Sequence, residues 1–293
     1  MVSAPDRLLL RLEWKVLRRL DGRIQGAYRT PYRGSGLDFA GLRAYQEEDD
    51  ARHIDWNATA RLGEPQVRQF TEDRELTVWL VLDRSASMTV GRPGRGKQDV
   101  LAELALVLAR LFGRGGNRVG AVLHDGAATK VVPPGTGRAH ALRIGHEIGR
   151  TATPPPVTTD FAVMLDAVSA LARRRSLIIV VSDFIGTGEW DRSLLRLVHR
   201  HDVVALRVVD AADDDLPEAG LLLVEDAETG EQLLVDTSDP LFRSRYAAGV
   251  GARDAELDGR MRRAGVPFHR VDTDRDVLSA LVEVVAGTHW RRA

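Results

Sequence analysis

Apolar and polar positions follow two different rhythms along this chain. Val78-Trp79-Leu80-Val81-Leu82 and Leu177-Ile178-Ile179-Val180-Val181 are unbroken apolar runs rich in β-branched side chains, the signature of strands covered on both faces. Elsewhere the period lengthens. Val100, Leu101, Leu104, Leu108, Leu111 and Phe112 recur at helical spacing, with Gly113 following as a stop. Phe161, Leu165, Val168 and Leu171 line one face of a further helix. Arg118 to Leu123 and Thr129 to Val132 flank His124-Asp125-Gly126 as a hairpin, and a helix from Ala139 to Ile148 ends at Gly149. Pro154-Pro155-Pro156 breaks the chain before Val157. Later come a helix from Trp190 to His199, a strand from Val203 to Val209 and a hairpin of Leu221–Val224 and Gln232–Val235 around Glu228-Thr229-Gly230-Glu231. A long helix near Pro240 to Ala264, a strand at Phe268 to Val271 and a helix from Val277 to Val285 complete the pattern. Strands alternating with helices predict an α/β fold: a doubly wound, mostly parallel sheet with helices on both faces, over residues 76–293.

Residues 1–75 read as an N-terminal extension packing on that domain. Leu8 to Leu20 is an amphipathic helix, and Tyr28 to Gly36 is a loop rich in arginine and glycine. Glu47, Glu48, Asp49 and Asp50 then lie among Arg43, Arg52 and Arg61. That mixture suggests internal ion pairs, with Trp56 as an apolar anchor, and Gln66 to Phe70 is an extended segment.

The candidate chemistry lies where the buried runs stop. The first ends in Asp83-Arg84-Ser85-Ala86-Ser87, the second in Ser182-Asp183, and Thr159-Asp160 opens the helix between them. Polar groups at the carboxyl ends of parallel strands sit where open α/β sheets bind ligands. One carboxylate and two hydroxyls on a short loop are hard oxygens, suited to Mg²⁺, Mn²⁺ or Ca²⁺. The same residues are also ordinary turn and capping residues.

Composition removes several classes. No cysteine is present among the 293 residues, which excludes disulfides, thiolate catalysis and zinc–thiolate sites. A net charge of −1 gives no general pull toward nucleic acid or anionic membranes. The first residues lack the layout of a signal peptide and no apolar run reaches the ~20 residues that span a bilayer. The expectation is a cytoplasmic protein.

Asp-x-Ser-x-Ser after a buried strand, Thr159 before a later helix and Ser182-Asp183 after the next buried strand resemble, in that order, the metal-ion-dependent adhesion site of von Willebrand factor type A domains. The resemblance implies that Ser85, Ser87 and Thr159 supply hydroxyls to a dication, with Asp83 and Asp183 acting directly or through water. The segment from Arg43-x-Tyr45 through Asp49-Asp50-x-Arg52-x-Ile54-Asp55-Trp56 to Ala60-Arg61 is similar to the signature of domain-of-unknown-function family 58, with Glu48 where glycine is usual; the Glu228–Glu231 hairpin is similar too. Members of that family commonly accompany MoxR-type AAA+ ATPases and are thought to act as their adaptors. The resemblance therefore implies a protein-interaction module that takes a partner's Asp or Glu carboxylate on a bound cation and has no catalytic residues.

Three enzymatic or nucleotide readings compete. In a Mg²⁺-dependent phosphatase or phosphotransferase, Asp83 is the nucleophile, but the acid expected two residues on is Ser85. Gly91 to Lys97 fits the G-x-x-x-x-G-K frame of a phosphate loop, yet Gln98 replaces the Ser or Thr that holds Mg²⁺, so a flexible loop with Lys97 near a helix start is the better reading. Neither Ser85 nor Ser87 sits in G-x-S-x-G, and no histidine is set to serve either.

Overall fold

The computed structural model describes residues 38–46, 49–71, 76–91, 94–114, 116–150, 157–186, 188–214 and 216–287. The expected helix at Leu8–Leu20, the loop at Tyr28–Gly36, the acids Glu47 and Glu48 and the break at Pro154–Pro156 lie outside them. The chain divides into two compact units, the boundary falling between Glu75 and Leu76.

In the smaller unit, β1 (Asp38–Ala44) pairs antiparallel with β2 (Gln66–Thr71) across a bulge at Phe39/Gly41. Asp55 caps α1 (Trp56–Leu62) by accepting the backbone N–H groups of Asn57 and Ala58, and Gly63 closes it in the left-handed region. The ion pairs expected here are Arg43 with Asp49, as a two-pronged contact, and Arg52 with Asp50. Trp56 does not serve as an anchor. It starts the short helix with 69% of its surface exposed.

The larger unit is built on six strands: β3 (Thr77–Asp83), β4 (Arg118–His124), β5 (Thr129–Gly135), β6 (Leu177–Ser182), β7 (Asp202–Val209) and β10 (Phe268–Asp272). They lie in the order β10-β7-β6-β3-β4-β5, all parallel except β5, which runs antiparallel at one edge and carries Pro133 and Pro134. Counted along the chain the order is 6-5-4-1-2-3, that of doubly wound sheets. Its direction reverses between β3 and β6. Both strands are buried along nearly their whole length, each fully buried aliphatic side chain stabilising the fold by about 1.5–3 kcal/mol.

Alternation along β3 sends Trp79 and Val81 to one face, where they meet α4 (Phe161–Leu171), α5 (Asp191–Arg200) and α7 (Pro240–Ala264) through Phe161, Met164, Leu194 and Met261. The other face is covered by α2 (Lys97–Arg114), with α3 (Gly137–Gly149) and α8 (Val277–Gly287) beside it. The α/β expectation therefore holds, with local corrections. Helix α2 runs through Gly113; Gly116, at φ 80°, supplies the left-handed residue, and Asn117 Nδ2 donates to the carbonyl of Phe112. Leu171, expected on the buried face of α4, is 37% exposed at the last turn, and Met164 is buried instead. A short helix, α6 (Ala211–Asp214), follows β7 without a sequence signal. The later hairpin, β8 (Leu221–Glu225) with β9 (Gln232–Asp236), forms a separate two-stranded ribbon. Leu221, Leu223, Leu233 and Leu234 on it are each more than 60% exposed. No described helix is long and apolar enough to cross a membrane.

Candidate functional site at the switch point

Asp83 is the last residue of β3 and fully buried. Its Oδ1 accepts the backbone N–H of Ser85 at 2.9 Å, a turn that Asp favours because its short side chain reaches the backbone two residues on. Its Oδ2 accepts the hydroxyl of Ser182 at 2.6 Å, and Ser182 Oγ in turn accepts the N–H of Phe184 at 2.7 Å. One carboxylate thus joins the ends of the two strands flanking the reversal. Ser85 and Ser87, both buried, bring their hydroxyl oxygens to 3.0 Å from each other. Burial first, and the charge of Asp183 second, push the Asp83 carboxyl up to about 7, eased by its bonds from Ser182 and Ser85.

Asp183 is buried and engaged on both oxygens. Oδ1 accepts Ile185 N–H at 3.0 Å, and Oδ2 accepts Lys97 Nζ at 2.8 Å. Lys97 is the first residue of α2 and wholly buried; its ammonium also donates to Asp213 Oδ1 on α6 at 3.0 Å. Burial opposes that charge, but the two carboxylates outweigh it and raise the lysine above its ordinary value. The next residue after Asp183, Phe184, holds φ 57°, the one non-glycine residue at positive φ among those described. Stacking on Phe161 at 5.6 Å and edge contact with Phe268 at 5.7 Å hold it there.

Thr159, also buried, precedes Asp160, the N-cap of α4. Its backbone N–H and its hydroxyl both donate to Glu228, at 3.1 Å to Oε2 and 2.9 Å to Oε1. Glu228 lies in the turn of the β8–β9 ribbon and is buried. Burial raises its pKa, the two bonds from Thr159 lower it, and the charges of Asp183 and Asp226 raise it further. The loop after β6 also packs on Thr159. A Cβ at Gly186 would fall 2.7 Å from Thr159 O.

All three expected loops therefore meet. Asp83, Ser85 and Ser87 are linked directly, Asp183 lies within their electrostatic reach, and Thr159 touches the Asp183 loop. Were a cation held here, the hard oxygens on Asp83, Ser85, Ser87, Thr159 and Asp183 would be the groups to hold it. Among the described residues no three His, Asp or Glu side chains form a group that could hold a metal ion, so such a donor set would have to include the hydroxyls. Sequence reading missed four members: Lys97, Ser182, Asp213 and Glu228. Ser182 adjoins Asp183 and Glu228 sits in a noted turn, but nothing local says where either side chain goes. Lys97 stood only in a failed phosphate-loop frame, and Asp213 gave no signal.

Fold and site together define a doubly wound α/β domain with a hydroxyl and carboxylate cluster at its switch point. The family model described as "Protein of unknown function DUF58" matches residues 41–256, and the chain belongs to that family. Uncharacterised proteins of Mycobacterium tuberculosis and Mycobacterium bovis are 38% identical over 276 residues, 94% of this chain and 87% of theirs. Among solved structures, an aerotolerance-related membrane protein from Bacteroides fragilis aligns at TM-score 0.47 and 12% identity, over 73% of this chain and all of that one. BatB from Bacteroides thetaiotaomicron aligns at 0.45 and 14%, over 72% of this chain and 97% of its own.

Proposed function

We propose that this protein is a cytoplasmic, metal-dependent protein-interaction module without catalysis of its own. Asp83, Ser85, Ser87, Thr159 and Asp183 hold Mg²⁺, Mn²⁺ or Ca²⁺, and a partner's Asp or Glu carboxylate completes the coordination. The partner that family likeness suggests is a MoxR-type AAA+ ATPase, with this chain as its adaptor.

The observation that carries the reading is the Ser85–Ser87 pair, 3.0 Å apart beside two buried carboxylates. Two ligands on neighbouring corners of an octahedron of about 2.1 Å radius are separated by about 3.0 Å, so the spacing suits Mg²⁺. It also suits a hydroxyl–hydroxyl bond, and the electrostatics favour the cation. Asp183 and Asp213 bond the ammonium of Lys97, and Asp83 is buried within reach of the Asp183 charge. Burial, and after it that neighbouring charge, raises the Asp83 carboxyl, and a dication would relieve both. Neutral hydroxyls leave a bound dication electrophilic enough to take an external carboxylate. The phosphotransferase alternative needs an acid two residues on from Asp83, and that position is Ser85.

Calorimetric titration of Mn²⁺ and Mg²⁺ into the wild type and Ser85→Ala tests the first step, with one site expected in the wild type and none in the variant. Capture of a purified MoxR-type ATPase should require the dication. Capture undiminished by excess chelator refutes the carboxylate-bridging step, and equal Mn²⁺ binding by both proteins refutes the site.

A further inference from the structure

The β8–β9 ribbon lies outside the six-stranded sheet, yet its turn delivers a buried carboxylate to the cluster. Thr159 has one hydroxyl hydrogen, and that hydrogen goes to Glu228 Oε1 at 2.9 Å. The other carboxylate oxygen takes the backbone N–H of the same residue at 3.1 Å, so the contact fixes both the side chain and its backbone. A hydroxyl whose hydrogen is committed has only lone pairs left for its other neighbours.

From this we infer that Glu228 is a positioning residue of the cation site: by taking the hydroxyl hydrogen of Thr159 it leaves that oxygen as an acceptor only, oriented to ligate a dication. The inference rests on the cation reading proposed above and adds a residue to it. It assigns the ribbon turn to the site although no atom of Glu228 has to touch the ion. Partners of this kind fix the orientation of a ligand and raise its basicity, and losing one typically costs about 10–100-fold in metal affinity.

The isosteric variant Glu228→Gln reverses the polarity of the contact. A carboxamide has one acceptor oxygen and an NH₂ donor. The Thr159 N–H claims the oxygen, and the NH₂ then donates to Thr159 Oγ1, expelling the hydroxyl hydrogen from its present bond. Mn²⁺ alone is the probe, titrated into the full chain by calorimetry, with urea midpoints measured for each protein. The expected result is Mn²⁺ binding about 10-fold weaker in Glu228→Gln. Thr159→Val, which keeps the shape and removes the oxygen, should lose at least as much. Glu228→Gln in the Thr159→Val background should lose less than it does alone, since the part carried through Thr159 is already gone.

Wild-type affinity in Glu228→Gln, or full additivity in the double variant, overturns the inference while leaving the cation site standing. Should Glu228→Gln fail to fold, Thr159→Val decides from the other side of the bond: undiminished Mn²⁺ binding there overturns the inference. No Mn²⁺ binding by the wild type overturns the cation reading and this inference together.

Discussion

Lys97 is the residue whose environment departs most from expectation. It stands at the helix start expected of it, but its ammonium is fully enclosed between Asp183 and Asp213. Those partners stand 86 and 116 positions along the chain. Sequence spacing therefore carries no trace of the pairing, and only the completed sheet brings them together. Replacing Lys97 with Met keeps most of the volume and strands two acids, one of them wholly buried. Such removals cost about 3–5 kcal/mol, and the urea midpoint of Lys97→Met should fall accordingly.

His201 shows the opposite balance. It is buried at the end of α5, neither ring nitrogen has a hydrogen-bond partner among the described residues, and burial together with the charge of Arg200 holds its pKa below the ordinary value. The unfolded chain then takes up a proton first, at about pH 6.5. The neutral ring contributes its full stability above that pH, and the contribution is lost as pH falls through it. Asp83 works in the other direction, because its raised value makes the folded chain the better proton acceptor below about pH 7. Comparison with His201→Gln removes that opposing contribution. Between pH 7 and 5 the wild type should lose more stability than the variant, as read from urea midpoints.

At the level of elements, the two central strands and their polar ends were legible because burial on both faces leaves little choice of composition. Asp83 to Ser87 had to be a loop, and Thr159-Asp160 had to open a helix. What misled were local signals that another residue could satisfy equally well. Gly113 was read as the stop of α2, but Gly116 and Asn117 end it. Hydrophobicity alone makes Trp56 an apolar anchor, and the exposed ring does not serve as one. The β8–β9 strands carry leucines on faces that remain largely exposed, so their apolar character said nothing of membership in the sheet. The loop between β6 and α5 is more constrained than its glycines suggest. A methyl at Gly186 would meet Thr159 O at 2.7 Å and the Phe161 ring at 2.8 Å. Gly186→Ala should destabilise the protein by about 1–3 kcal/mol, as overpacked sites do. The same change should weaken Mn²⁺ binding, because the displaced backbone belongs to Thr159.

Across the whole molecule, the class of fold followed from the succession of strand and helix, while the pairing of β3 with β6 did not. That pairing makes the site. Asp83 and Ser182 come from neighbouring strands separated by 99 positions, and Glu228 arrives from a ribbon beyond both. Family likeness supplied the order of the motifs, yet not the lysine, the serine or the ribbon glutamate that the closed sheet gathers around them.

Pro133 and Pro134 have a consequence for how other molecules meet this one. Both lie on β5, the outermost strand on its side, and neither carries an amide hydrogen. A foreign peptide laid along that rim finds a donor missing, since one of two successive strand residues faces outward. Zipper-like growth from one molecule to the next is therefore interrupted on this flank, and recognition there falls to side chains instead of shared backbone.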